Sequence, residues 1–152
     1  MTTDSSSEQP PHVIVGVDGS PESIEALAWA ARYAAATGAT IRAVHAWHYP
    51  PAGPVPAGRA PQAITDEVRA MMQETLDQAL TQVFGTTTPD NVDTKVAYGH
   101  PAMVLVNESA GADLLVVGNR GHGAFHGMML GSVSIHCVTT ATCPVVVVRS
   151  KS

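Results

Sequence analysis

Strand and helix patterns alternate along the chain. Short apolar runs of the kind found in buried strands occur at 12–18, 40–47, 92–98, 113–117 and 144–148. Helical spacing of apolar residues, bounded by capping and stop signals, separates them at 21–37, 63–84, 101–110 and 132–140. Five strands alternating with four helices predict a single α/β domain, a doubly wound, mostly parallel sheet with helices on both faces.

The remaining segments delimit this domain. Residues 1–11 are polar and without periodicity, which predicts a disordered N-terminal tail before a folded domain at 12–150. Residues 48–62 are rich in Pro, Ala and Gly, and we expect a flexible loop there. Ligands of doubly wound sheets bind beyond the carboxyl ends of the strands, where the winding direction reverses. The residues that follow each strand are therefore the first candidates for a site, namely 18–20, 45–47, 99–100 and the loop after Val117.

Composition and charge narrow the possible functions. The 152 residues are 45% hydrophobic and 14% charged, and the formal net charge is −5. This charge argues against a nucleic-acid partner, which would need a basic face, and no apolar run reaches the about 20 residues that a membrane span requires. Two cysteines, Cys137 and Cys143, cannot build a disulfide framework and indicate a cytoplasmic protein. The histidines and cysteines match no recognised zinc spacing, so we predict no protein-held metal site.

The segment from Val117 to Ser132 carries the chemistry. Gly118 ends a buried strand, where a missing side chain lets a ligand approach the backbone. Gly121 can adopt positive φ and turn amides towards an anion. Gly131 and Ser132 lie just before the last helix, whose free amides and dipole favour phosphate. These features predict a phosphate cradle, although tight turns alone could explain the glycines and Ser132 could simply cap its helix.

The spacing of these residues is similar to a family pattern. The arrangement Gly118-x2-Gly121-x9-Gly131-Ser132 resembles the signature of ATP-binding universal stress proteins. The segments 15–20, 112–118 and 143–148 resemble the same family, and the similarity covers about residues 12–149. The resemblance implies a sheet in the order 3-2-1-4-5, with ATP in the crevice between the first and fourth strands. We expect Mg²⁺ to accompany the phosphates, since this ion needs few protein ligands.

The resemblance also implies roles for individual residues. Asp18 would lie near the adenine–ribose end of the nucleotide or help to hold a metal, and Val44 would line the adenine pocket. Val117 and Gly118 would contact the ribose and the first phosphate. The residues that would follow or enclose the remaining phosphates are Asn119, Arg120, Gly121, Gly131, Ser132, Val133 and Ser134. From the residues alone, Asp18 could also be a polar strand terminus or a general base, and Arg120 a solvated loop arginine.

The last strand predicts an oligomer. The implied strand order places Val145–Val148 at a sheet edge, where unpaired amides and apolar side chains favour association. A homodimer that pairs this strand across a twofold axis would cover the edge, and the alternative is that the termini of the same chain cover it.

The leading hypothesis for function is an ATP-binding stress or signalling regulator of the cytoplasm. No Walker lysine and no clearly placed water-orienting carboxylate are present, so we assign no catalytic residue and expect at most slow ATP hydrolysis. A cyclic AMP-binding protein that uses the same adenine pocket is a further alternative. A family member that has lost nucleotide binding is disfavoured by the intact glycine–serine pattern.

Overall fold

Five strands and four helices alternate in the computed structural model, which describes residues 9–48, 66–121 and 129–150. The strands are β1 (His12–Gly16), β2 (Thr40–Trp47), β3 (Val92–Tyr98), β4 (Leu114–Gly118) and β5 (Val145–Val148). The helices are α1 (Pro21–Thr37), α2 (Asp66–Phe84), α3 (Pro101–Glu108) and α4 (Ser132–Thr140).

The strands form one parallel sheet in the order β3–β2–β1–β4–β5. The chain winds outward from β1 to β3 and then returns across β1 to β4, so the winding direction reverses between β1 and β4. The predicted fold class and the strand order implied by the family resemblance are both confirmed.

Two apolar cores cover the two faces of the sheet. Successive side chains of β1 belong to different cores. Val13 and Val15 pack in the first core, on one face of the sheet, with α1 and α2. Ile14 packs on the other side with α3 and with Cys137 of α4. Burial of β1 on both faces explains its continuous apolar sequence. No helix among the described residues is long and apolar enough to cross a bilayer.

Local signals account for most helix and strand bounds. Ser20 caps α1 by accepting a hydrogen bond from the amide of Ser23, Pro21 follows at the first helical position, and Gly38 ends the helix with a φ of 77°. The observed bounds of β2, β3 and α4 agree with the predicted ones. Strand β5 begins at Val145 rather than at Pro144, which has no amide hydrogen to donate to a ladder.

Some predictions fall on residues that the structure does not describe. Residues 1–8 of the predicted tail lie outside the described residues. Of the predicted loop 48–62, only His48 is described. The predicted first turn of α2 at 63–65 also lies outside them.

Candidate functional site

A cavity of about 520 Å³ lies at the carboxyl ends of β1, β2 and β4, where the winding direction reverses. Nine of the eleven residues predicted for a nucleotide site line it: Asp18, Val44, Val117, Gly118, Arg120, Gly121, Gly131, Ser132 and Val133. Asn119 and Ser134 are not among the lining residues. The fold therefore brings together positions that are up to 115 residues apart in the sequence, from Asp18 to Val133.

The first side of the cavity is formed where β1 and β4 approach each other. Asp18 accepts a hydrogen bond from the amide of Ser20 through Oδ1, at 2.9 Å. A Cβ atom on Gly121 would lie 2.8 Å from Asp18 Oδ2, so a glycine lets the loop after β4 come against this carboxylate. The prediction that Gly121 adopts positive φ is wrong, because it is not among the described glycines with that conformation.

Gly118 has a packing role that the sequence did not predict. A Cβ atom there would lie 2.7 Å from the backbone carbonyl of Glu22, in the first turn of α1. The absence of a side chain therefore lets α1 pack against the end of β4. Gly118 also lines the cavity, but helix packing alone is enough to require glycine at this position.

The N-terminus of α4 forms the opposite side. Gly131 is the N-cap residue and provides no side-chain hydrogen bond to the first turn. Ser132 is the first helical residue and is exposed, so the alternative that it caps the helix is wrong. The amide groups at the start of a helix lack intrahelical acceptors and carry partial positive charge. Because Ser132 and Val133 line the cavity, this helix end favours an anion there.

Asn119 connects segments instead of facing the cavity. Its backbone amide donates to the carbonyl of Val148, and its backbone carbonyl accepts from the amide of Gly131. Its side-chain nitrogen donates to the carbonyl of Met129 at 3.0 Å, and its side-chain oxygen accepts from the amide of Ser150 at 3.3 Å. These bonds join β4, β5 and the start of α4. The buried Asn119 is thus a structural residue of the loop, not a group directed at phosphates.

Ser134 supports the same arrangement. It is buried, and its hydroxyl oxygen lies within hydrogen-bond distance of the carbonyls of Asn119, at 3.1 Å, and Gly131, at 2.9 Å, which share its donation. A serine hydroxyl has one hydrogen to donate. This hydrogen is directed at the protein backbone, so the structure does not present it to a phosphate.

Arg120 forms an ion pair that the sequence did not suggest. Its Nη2 atom lies 3.4 Å from Oε2 of Glu22, and the two side chains are 20% and 16% exposed. The alternative of a solvated loop arginine is therefore wrong. Glu22 is 98 residues away in the sequence, and only the packing of α1 against Gly118 brings it here. The charged residues among the described lining are Asp18 and Arg120.

The third side of the cavity lies at the end of β2. Val44 is buried, and the following residues 45–48 continue the lining. The rings of His48 and His100 lie 5.3 Å apart, and His100 caps α3 by accepting from the amide of Ala102 through Nδ1. Pro101 and Leu105 of α3 also line the cavity. Sequence reasoning missed both, although the start of α3 follows the predicted strand end at 99–100.

Comparisons with known proteins agree with this architecture. The model of the universal stress protein family matches residues 11–149, and the chain belongs to that family. A universal stress protein of Mycolicibacterium smegmatis is 36% identical over 146 residues, which cover 91% of this chain and 46% of the relative. One from Mycobacterium tuberculosis is 38% identical over 138 residues, which cover 90% of this chain and 45% of that relative. This chain thus spans about half the length of the curated relatives that it matches.

A solved structure resembles the whole domain. The crystal structure of a universal stress protein in complex with cAMP is 29% identical to this chain, with a TM-score of 0.63. The match covers 95% of this chain and all of the other. The sheet and helices described above are therefore those of a universal stress protein domain.

Proposed function

We propose that this protein binds an adenine nucleotide in the cavity between β1 and β4, with ATP as the ligand and Mg²⁺ accompanying its phosphates. The observation that carries the proposal is the convergence of β1, β4 and the start of α4 on one cavity, which nine predicted site residues line. The related structure in complex with cAMP supports an adenine nucleotide as the ligand class.

The two ends of the cavity suit the two ends of a nucleotide. Val44, Val117 and Leu105 offer apolar surface for the base near the ends of β2 and β4. The amides of Ser132 and Val133, the Ser132 hydroxyl and the Arg120 guanidinium offer donors to phosphate oxygens. The carboxylate of Asp18 would hold the accompanying Mg²⁺, since hard oxygen ligands suit this ion. Asn119 and Ser134 contribute indirectly, by holding Gly131 against the loop.

The proposed role is that of a nucleotide-dependent stress or signalling regulator in the cytoplasm. A regulator of this kind needs only a difference in nucleotide affinity between two states of the protein. Both cysteines are free thiols, which is the state expected in a reducing compartment. ATP hydrolysis, if it occurs, is expected to be slow, and measurement of phosphate release distinguishes a binding protein from an ATPase.

Isothermal titration of the nucleotide-free chain with ATP tests the proposal. Ser132→Ala removes one donor and is expected to weaken ATP binding about tenfold to a hundredfold, since a hydrogen bond to a charged group contributes about 1.5–3 kcal/mol. Thr140→Ala removes a hydroxyl from the other end of the same helix and is expected to leave the affinity unchanged. Gly131→Val places a branched side chain beside Arg120 and is expected to abolish binding. Undiminished affinity in a folded Gly131→Val variant would refute the phosphate assignment.

Cyclic AMP is the second candidate ligand, because the related structure contains it. Its single phosphate would use only part of the donors near α4. Competition between ATP and cyclic AMP in the same titration, supported by the nucleotide content of protein purified without added ligand, decides between them. If neither nucleotide binds, the proposed function is wrong.

A further inference from the structure

The ion pair between Glu22 and Arg120 differs from the other arginine–carboxylate pair of the described structure. Arg42 binds Asp93 through two parallel hydrogen bonds, from Nε to Oδ1 and from Nη2 to Oδ2, each 3.1 Å long. Arg120 approaches Glu22 through Nη2 alone, at 3.4 Å. The pair of Arg120 and Glu22 is therefore more buried than that of Arg42 and Asp93, but it has one contact instead of two. Paired guanidinium and carboxylate groups favour the two-bond geometry.

The Nε atom of Arg120 is buried and donates to no acceptor among the described residues. A buried donor without an acceptor destabilises the state that contains it. Arg120 also lines the cavity, and Nε would gain an acceptor only if the side chain turned towards an anion bound there. In the observed arrangement, the described residues satisfy the guanidinium only in part.

The backbone of Glu22 packs closely against the end of β4, since a Cβ atom on Gly118 would be only 2.7 Å from the Glu22 carbonyl. The Glu22 carboxylate therefore starts from a position beside the cavity, and the pair can rearrange through its two side chains without a movement of α1. A phosphate that binds Arg120 will remain within reach of the Glu22 carboxylate, which carries charge of the same sign.

From these contacts we propose that Glu22 competes with the phosphates of the nucleotide for Arg120. Glu22 thereby sets how steeply the affinity of the cavity rises with the number of phosphates. The inference rests on the proposed function, because it assumes an adenine nucleotide in the cavity. It adds a specificity-determining residue that lies behind the cavity wall and that neither composition nor motif spacing identifies.

The test measures affinities for adenosine, AMP, ADP and ATP in buffer saturated with Mg²⁺. In Glu22→Gln, a near-isosteric neutral variant, the ratio of ATP affinity to adenosine affinity is expected to rise at least about fivefold, which is the effect of removing a unit charge about 4 Å away even when water screens it fully. In Arg120→Gln the same ratio is expected to fall. Asp93→Asn also removes the carboxylate of an arginine pair, but away from the cavity lining, and should leave the ratio unchanged.

The double variant separates competition from simple repulsion. If Glu22 acts through Arg120, Glu22→Gln gives no further rise in the Arg120→Gln background. A full rise in that background would overturn the proposed competition. An unchanged or lower ratio in Glu22→Gln alone would overturn it as well, and a lower ratio would mean that Glu22 positions Arg120 for phosphate. If the wild-type chain binds none of the four compounds, the failure is that of the proposed function itself.

Discussion

Gly118 and Gly131 both line the cavity, but an added methyl group would meet different surroundings at the two positions. At Gly118 it would overlap the backbone of Glu22, with contacts of 2.7 Å. At Gly131 its nearest neighbour would be the Cα of Arg120 at 3.4 Å, and the φ of −84° is accessible to alanine. Packing of α1 therefore requires glycine at position 118, whereas at position 131 only the access of a ligand would favour it.

We predict that Gly118→Ala destabilises the fold and that Gly131→Ala does not. Overpacking against backbone costs about 1–3 kcal/mol, so Gly118→Ala should lower the free energy of unfolding in urea by that amount. Gly131→Ala should change it by less than about 1 kcal/mol. Equal stability of Gly118→Ala and the wild type would contradict the close packing of α1 against β4.

Cys137 provides a prediction about pH. Burial raises the pKa of its thiol from 9.0 to about 11, and the nearby Cys143 adds to the rise. In the unfolded chain the thiol ionises near its ordinary pKa, below the pKa that it has in the folded state. As the pH rises, the unfolded state therefore loses this proton before the folded state does, and ionisation stabilises the unfolded state. The free energy of unfolding should therefore be unaffected by this group below about pH 9 and should decrease as the pH rises from 9 towards 11.

Comparison with Cys137→Ala isolates this effect from other groups that ionise at high pH. The variant is expected to lose less stability between pH 9 and 11 than the wild type does. Urea unfolding at a series of pH values measures both curves. Parallel curves would show that the buried thiol does not contribute to the alkaline decline.

At the scale of the secondary-structure elements, Asn119, directly after β4, forms bonds in three directions. Asn119 binds the end of β5 through Val148 and Ser150, and it binds the segment before α4 through Met129 and Gly131. Ser134, one turn into α4, donates to the carbonyls of Asn119 and Gly131. This network fixes the direction in which the first turn of α4 faces the cavity.

Ser134→Ala is expected to weaken both the fold and the site. Loss of a buried hydroxyl that bonds two carbonyls should lower the free energy of unfolding by about 1–2 kcal/mol, and nucleotide affinity should fall because Gly131 is less firmly held. Ser109→Ala is the matched control, since Ser109, the C-cap residue of α3, is also buried but donates to the carbonyl of Val106 in the same helix end. It should lose stability but keep its affinity. Unchanged nucleotide binding in Ser134→Ala would show that the network does not position α4.

The elements themselves follow from local signals, and for this reason the sequence alone predicts them well. The bounds of β2 and α4 agree with those expected from periodicity and from flanking glycine and proline. The roles of Asn119 and Arg120 could not be predicted in the same way. Their partners, such as Ser150 and Glu22, lie far away in the sequence, and only the closure of the sheet brings them into contact.

The site shows the same contrast between features that local sequence predicts and features that depend on tertiary packing. Predicted residues at strand ends do line the cavity, because parallel strands direct their carboxyl ends to one edge of the sheet. The packing of α1 against Gly118 was not predicted, since this close approach depends on tertiary packing. Leu105 was missed because it lies inside α3, whereas the sequence analysis considered only the residues that follow strands.

At the scale of the whole molecule, β5 leaves one edge of the sheet without a strand partner among the described residues. The carbonyl of Pro144 accepts from the amide of Leu115 in β4, and the carbonyl of Val148 accepts from the amide of Asn119, directly after β4. Because backbone groups alternate along a strand, the amides of Val145 and Val147 face the opposite, outer edge. The four valines of β5 are only partly buried. An unpaired, apolar edge of this kind favours pairing with a second strand.

We therefore predict a homodimer that pairs β5 with its copy across a twofold axis, and sedimentation of the wild-type chain at micromolar concentration should show it. Val147→Pro removes an outward-facing amide hydrogen without removing a donor to β4, so this variant is expected to sediment as a monomer with an unchanged circular dichroism spectrum. Val147→Thr keeps both the amide and the branched shape and should remain dimeric. A wild-type chain that is monomeric throughout would contradict the predicted dimer. A folded Val147→Pro variant that still dimerises would place the interface on another surface, because pairing through β5 needs these outward amides.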